Sequence, residues 1–221
     1  MSARFVKRSH ELQTPAPETQ RQRGRPAKPE EALAEMVIAA ATQLLLQRGY
    51  AAMTMEAVAR HAGIAKKTVY RFAPDREALF GLIVKNWTDT FLPAFTTEAK
   101  TADEVPALLE AILSTIAERV LCEDAVGLFR LLVGDIPARE DILSIYDRNG
   151  IERSRALLAD WLARHKARGL IEVADPTITS DLILSTVIAE PLRRMALGLA
   201  QPVPATDIRP RIKAALALLR L

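Results

Sequence analysis

TMEAVARHAGIAKKTVYRFAPDREALFGLI, residues 54–83, is the stretch on which the fold turns. Thr54 can cap a short helix, because its hydroxyl oxygen can accept an otherwise unpaired backbone N–H in the first turn. Met55, Val58, Ala59 and Ala62 then recur at helical spacing and face inward. Gly63 breaks this piece and Ile64 begins a tight connection. A second short helix is predicted over about 66–72, ending before Pro74. Asp75 starts a longer helix, predicted to run to about residue 96, with Leu79, Phe80, Ile83, Val84 and Trp87 on its apolar side. Two short helices joined by a Gly-containing turn, the second of them basic, form a helix-turn-helix candidate. The second piece presents Lys66, Lys67, Thr68, Tyr70 and Arg71, while Val69 can point back into a small core. The DNA major groove admits an α-helix, and such a helix is drawn to phosphate by its cations and its N-terminal N–H groups. On the residues alone, a solvated basic helix face fits the pattern equally well.

Working outward, Leu33, Met36, Val37, Ala40, Ala41, Leu44 and Leu45 mark one face of an amphipathic helix over 29–49. Pro29 suits its first turn, Glu30 and Glu31 complement its positive end, and Gly49 suits its stop. Further helices are predicted over 103–121, 123–136, 140–168 with an interruption at Gly150, 177–199 containing Pro191, and 206–221. No strand alternation, repeat or glycine-rich phosphate loop is present in the sequence. Abundant Ala and Leu beside only 9 Gly agree with this, since Gly loses more backbone freedom in a helix. The reading is all-α. It comprises a basic arm over 1–28, a three-helix DNA-binding domain over 29–74, and a helical bundle over 75–221 whose first helix, 75–97, links the two.

The 221 residues are 49% apolar and 26% charged, ordinary for a folded protein. The net charge of +3 hides an asymmetry. Residues 1–85 hold 14 Lys and Arg against 8 Asp and Glu, whereas 86–221 hold 16 against 19. A basic first third is expected where one end meets a polyanion. The single cysteine, Cys122, excludes an intramolecular disulfide framework and is read as a small hydrophobe. No apolar run approaches the ~20 residues that span a bilayer, and no secretory signal is evident, so a cytoplasmic protein without membrane contact is expected.

The string 54–83, with the helix before it, resembles the DNA-binding segment of the TetR/AcrR family of bacterial transcriptional regulators. Ala62-Gly63, Lys66, Thr68, Val69-Tyr70-Arg71 and Asp75-Arg76-Glu77-Ala78-Leu79 fall in register with it. The resemblance implies that Thr54 lies beside phosphate and that Lys66, Lys67 and Thr68 face base edges. It further implies that Tyr70 touches the backbone phosphate and that Arg76 grips phosphate at the start of the next helix. Lys66 and Lys67 can read guanine or bind only phosphate. The family's usual aromatic is replaced by Ala73, with Phe72 one place earlier, which leaves the packing of the recognition helix open. Residues 129–169 are similar, more loosely, to the C-terminal domains of AefR-like members. From this resemblance follow a homodimer, double-stranded DNA as a partner, an unidentified small-molecule effector, and repression as the mode of control.

In the arm, Arg23-Gly24-Arg25-Pro26 resembles the core of an AT-hook, whose Arg side chains enter the narrow minor groove of A·T-rich DNA, the alternative being a generic basic tail that adds only salt-sensitive affinity. In the bundle, Trp87, Phe91, Phe129, Tyr146, Trp161 and Glu190 are candidates to line a ligand pocket. Aromatic residues at helical spacing are more often plain core, and a glutamate such as Glu190 more often faces solvent than a ligand. Leu182, Ala189, Leu192 and Leu216 are candidates for the dimer interface that the family places on its last two long helices. No catalytic residue, metal ligand set or cofactor is expected. His10, His61 and His165 have no nucleophile or carboxylate at the spacing of a triad or metal site. The competing reading is an architectural DNA-binding protein without a ligand, binding all sequences alike with a steep salt dependence.

Overall fold

The computed structural model describes residues 29–134 and 140–220, so the arm with Arg23 and Arg25 lies outside the described residues. Eleven α-helices occur among them: α1 (Glu30–Arg48), α2 (Met55–Ala62), α3 (Lys66–Phe72), α4 (Arg76–Asp89), α5 (Val105–Val120), α6 (Glu123–Gly134), α7 (Glu140–Tyr146), α8 (Arg153–Ala167), α9 (Pro176–Leu184), α10 (Glu190–Ala196) and α11 (Arg209–Leu218). The protein is all-α, with an isolated bridge between Cys122 and Val203 as its extended pairing among the described residues.

Local chemistry explains the short helices. Thr54 Oγ1 accepts the Ala57 N–H at 3.1 Å and fixes the start of α2. Gly63 ends it with φ at +65°, a left-handed turn that a side chain would strain. The Ile64 N–H then bonds back to Ala59 O at 3.0 Å. Asp75 caps α4 by accepting the Ala78 N–H at 2.7 Å. That helix stops at Asp89, short of the expected residue 96. Pro93 has no N–H to continue the ladder, and Leu92–Thr96 forms a separate 3₁₀ turn. For the same reason α11 begins at Arg209, with Pro210 in its first turn, and not at 206.

Two clusters of buried side chains hold the helices together. The first joins Val37, Leu44 and Leu45 of α1, Val58 of α2, Val69 of α3 and Leu79, Phe80 and Ile83 of α4. Leu128 and Leu132 of α6 and Ile142 of α7 complete it. The core of the N-terminal helices therefore continues past residue 74 and is closed by the bundle. The second cluster gathers Phe91, Leu109, Leu113, Ile116, Leu158, Trp161, Ile183 and Ile212.

Two helices contain a wide π turn where the sequence suggests a break. Asp147–Glu152 joins α7 to α8 around Gly150, and Ser185–Ala189 joins α9 to α10 just before Pro191. Pro191 cannot donate to the turn before it, and the wide turn accommodates this in place of a broken helix. Close approach explains the first. A Cβ on Gly150 would lie 3.3 Å from Val84, and one on Gly81 would lie 3.3 Å from Ile145. Without side chains at these two glycines, α4 and the π turn pack closely. Thr88 Oγ1 reaches the Asn149 carbonyl at 2.8 Å across the contact, and Arg153 pairs with Asp89 beside it.

Candidate nucleic-acid interface and buried cavity

Helix α3 carries its polar side chains outward because Val69 is sealed into the first core. Lys66, Lys67 and Arg71 are exposed, Thr68 is half-buried, and Tyr70 is 44% exposed. Lys66 pairs with Glu56 of α2, and its ammonium lies 5.4 Å from the Tyr70 ring centroid. The hydrogen bond between them holds the Glu56 carboxyl below and the Lys66 ammonium above their usual ranges. Arg71 stands 3.7 Å from Glu30 and 5.3 Å from the ring of Phe72. Exposed pairs of this kind are weak, so a phosphate can replace either carboxylate. Ala73 is fully buried and Phe72 packs part-buried against the same core, so the aromatic shifted by one place anchors α3.

Thr54 and Arg76 flank this helix. Arg76 holds its guanidinium 4.3 Å over the Tyr50 ring, and the Tyr50 hydroxyl donates to Glu77 Oε1 at 3.0 Å. Burial, reinforced by Glu77, pushes the Tyr50 phenol up to about 12 despite Arg76, so it stays neutral. The stack fixes the cation at the N-terminal end of α4, where a phosphate would also meet helix N–H groups.

Behind this face, a cavity of about 230 Å³ opens between α4, α5, α6, α8 and the α9–α10 helix. Of the six residues expected to line a pocket, Trp87, Phe129 and Tyr146 do so. The other three are elsewhere. Phe91 is buried against Phe95 at 6.4 Å in the second core. Trp161 stacks on His165 at 3.7 Å and donates its ring N–H to Thr97 O at 3.0 Å. Glu190 chelates Arg193 with both oxygens, at 2.8 and 2.9 Å, on the protein surface. The four residues expected at a dimer interface also divide. Ala189 and Leu192 border the cavity, Leu216 is buried within the chain because α11 turns Ile212, Ala215 and Leu216 inward, and Leu182 is 51% exposed. Ile178 and Leu218, at 60% and 81% exposed, stand on the outer sides of α9 and α11.

Sequence reasoning missed the polar part of the cavity, Thr88, Ser154, Arg155, Asp181 and Ser185. Asp181 carried a signal, since it is the lone charge among the apolar and hydroxyl residues of 177–189. The described histidines have structural partners. His61 meets Gln43 at 2.8 Å. His165 is fully buried, with Nε2 accepting the Ala99 N–H at 3.0 Å and Nδ1–H therefore donating to Trp161 O at 2.7 Å. Among the described residues no three His, Cys, Asp or Glu side chains cluster as metal ligands would. No helix among them is long and apolar enough to cross a membrane.

Comparison with known proteins fits this arrangement. Residues 37–83 match the family of bacterial regulatory proteins, tetR family, and residues 107–219 match the AefR-like transcriptional repressor, C-terminal domain. No curated protein is significantly similar to the chain. Among solved structures, a TetR-family transcriptional regulator from Mesorhizobium loti is 22% identical with a TM-score of 0.71, covering 87% of this chain and 97% of the other. The flavonoid-responsive regulator FrrA is 24% identical with a TM-score of 0.65, over 86% and 95% of the two chains. A TetR transcriptional regulator from Agrobacterium tumefaciens is 20% identical with a TM-score of 0.65, over 87% and 93%. At these identities the likeness is one of fold.

Proposed function

The chain belongs to the tetR family of bacterial regulatory proteins, with an AefR-like C-terminal domain, and on that premise we propose that it is a homodimeric repressor released from a palindromic operator by a small molecule. The family is one of transcriptional regulators and not of enzymes, and residues 37–83 are its DNA-binding part. In the proposed complex α3 enters the major groove, with Lys66, Lys67 and Thr68 toward base edges and Thr54, Tyr70, Arg71 and Arg76 toward phosphate. Arg23 and Arg25 add minor-groove contacts from the arm, and the protein works in the cytoplasm. Leu182, with Ile178 and Leu218, offers apolar surface for a second copy to cover. A two-fold dimer multiplies the discrimination of one short helix by reading two half-sites.

The observation that carries this reading is the double duty of α4. Its Leu79, Phe80 and Ile83 lie in the core beneath the recognition helix, while Val84, Trp87 and Thr88 border the cavity. A molecule in the cavity thus presses on the helix that supports α3, and DNA and effector must oppose each other reciprocally if they favour different positions of it. The test is a titration of the full chain against DNA from upstream of its own gene, beside a scrambled duplex, at physiological salt. Saturable binding confined to the upstream DNA, with a palindromic footprint, is expected. Equal weak binding to both, followed by no palindrome from random DNA, would favour the architectural reading.

A further inference from the structure

The cavity's polar groups are arranged with an evident bias, and from it we infer that the cavity takes a compact aromatic molecule bearing a hydrogen-bond donor and no negative charge, and rejects carboxylates. This deepens the proposed effector site and rests on that reading only for its link to DNA. The walls are mainly apolar, with Trp87, Phe129 and Tyr146 supplying flat aromatic surface. Two of the four hydroxyls at the wall, those of Thr88 and Ser154, have already committed their hydrogens to backbone carbonyls. Thr88 donates within reach of Asn149 O at 2.8 Å and Val84 O at 2.9 Å, and Ser154 donates to Gly150 O at 2.7 Å. A hydroxyl whose single hydrogen is spent offers only lone pairs.

The charged groups at the wall point the same way. Arg155 is shared by two carboxylates, Glu152 Oε1 and Asp181 Oδ1, each 2.6 Å from its guanidinium. One cation between two anions leaves the group with a net negative charge. Burial works against the Arg155 charge, but the two carboxylates outweigh it and keep it protonated. Burial also pushes the Tyr146 phenol up to about 12, so that edge of the cavity stays neutral. An entering carboxylate would meet the net negative charge of the Glu152–Arg155–Asp181 group, find the one guanidinium occupied, and have only neutral donors such as the Tyr146 and Ser185 hydroxyls in place of its water. A phenol or an aromatic amine would instead donate to Thr88, Ser154 or Asp181 while its rings fill the apolar space.

The experiment is calorimetric titration of the full chain with β-naphthol and β-naphthoate, two probes on one skeleton. β-Naphthol is expected to bind saturably and at least about tenfold more tightly than β-naphthoate. Asp181→Asn should shrink that ratio by freeing Arg155 toward the carboxylate. Ala125→Phe and Ile188→Trp, two independent ways of filling the space, should each abolish binding; thermal unfolding identifies a variant that has failed to fold. Equal or tighter binding of naphthoate, absence of naphthol binding, or binding that survives both filled cavities would overturn the inference. Naphthol binding with the expected preference, but without change in operator affinity, would uphold the cavity chemistry and defeat the effector reading instead.

Discussion

The recognition face and the cavity lie on either side of α4 and are built on opposite plans. On the face, the candidate contacts are exposed or half-buried side chains within one short segment, Lys66 to Arg76, and the backbone is fixed by local devices such as the Thr54 and Asp75 caps. The cavity draws its walls from every helix between α4 and α10, those two included, and from both π turns, and none of these contributes more than part of it. The lesson is that substitutions on the face should change DNA binding while sparing stability, whereas substitutions around α4 should change stability first.

The largest effect expected is at the shared helix. Phe80→Ala removes a fully buried ring from the core under α3 and should cost about 3–5 kcal/mol of unfolding free energy in urea titration. A loss under 1 kcal/mol would mean that α4 is not the common support of the two regions. Gly150→Val sharpens the contact between α4 and the π turn, where even a Cβ would lie 3.3 Å from Val84. The expected destabilisation is about 1–3 kcal/mol, read from the same denaturant curves. On the face, Arg71→Ala should weaken operator binding about tenfold and lower the salt slope by about 1, with stability unchanged within ~0.5 kcal/mol. If instead it unfolds the protein without a salt effect, the division between the two regions is wrong.

Smaller effects separate local from tertiary support. Thr54→Ala deletes the cap of α2 and should lower stability by about 1 kcal/mol, with Thr54→Ser restoring most of it. Alkaline titration reaches both sides of α4 through Tyr50 and Tyr146, each raised to about 12 in the folded chain. An unfolded tyrosine loses its proton near 10, so the folded form holds the proton longer. Stability should therefore be intact below pH about 10 and fall as pH rises toward about 12. In Tyr146→Phe the fall should be shallower, and an unchanged slope would remove Tyr146 from the account.

The same contrast explains what could be read from the sequence. The helix-turn-helix was legible because its signals are local: Thr54 caps, Gly63 takes positive φ, Val69 points inward, and the cations lie between. Burial in the bundle was harder to read, since Phe91, Trp161 and Tyr146 carry similar helical spacing and only packing decides which one meets empty space. Trp161 finds His165 and Phe91 finds Phe95, while Tyr146 is left at the cavity wall. Pro191 and Gly150 were visible as irregularities. At Gly150 the outcome, a widened turn and not a break, depends on neighbours such as Val84 and Thr88 from α4. Arg155 and Asp181 meet across α8 and α9, which no spacing within either helix reveals.

The central claim is that this chain reads a two-fold DNA sequence through α3. Selection of bound duplexes from random DNA by the full chain tests it most directly. The account predicts enrichment of a palindrome whose half-sites repeat at about one or more helical turns, with Arg71→Ala weakening every enriched sequence alike. Bound DNA with no enriched sequence, or an enriched site without two-fold symmetry, would contradict it.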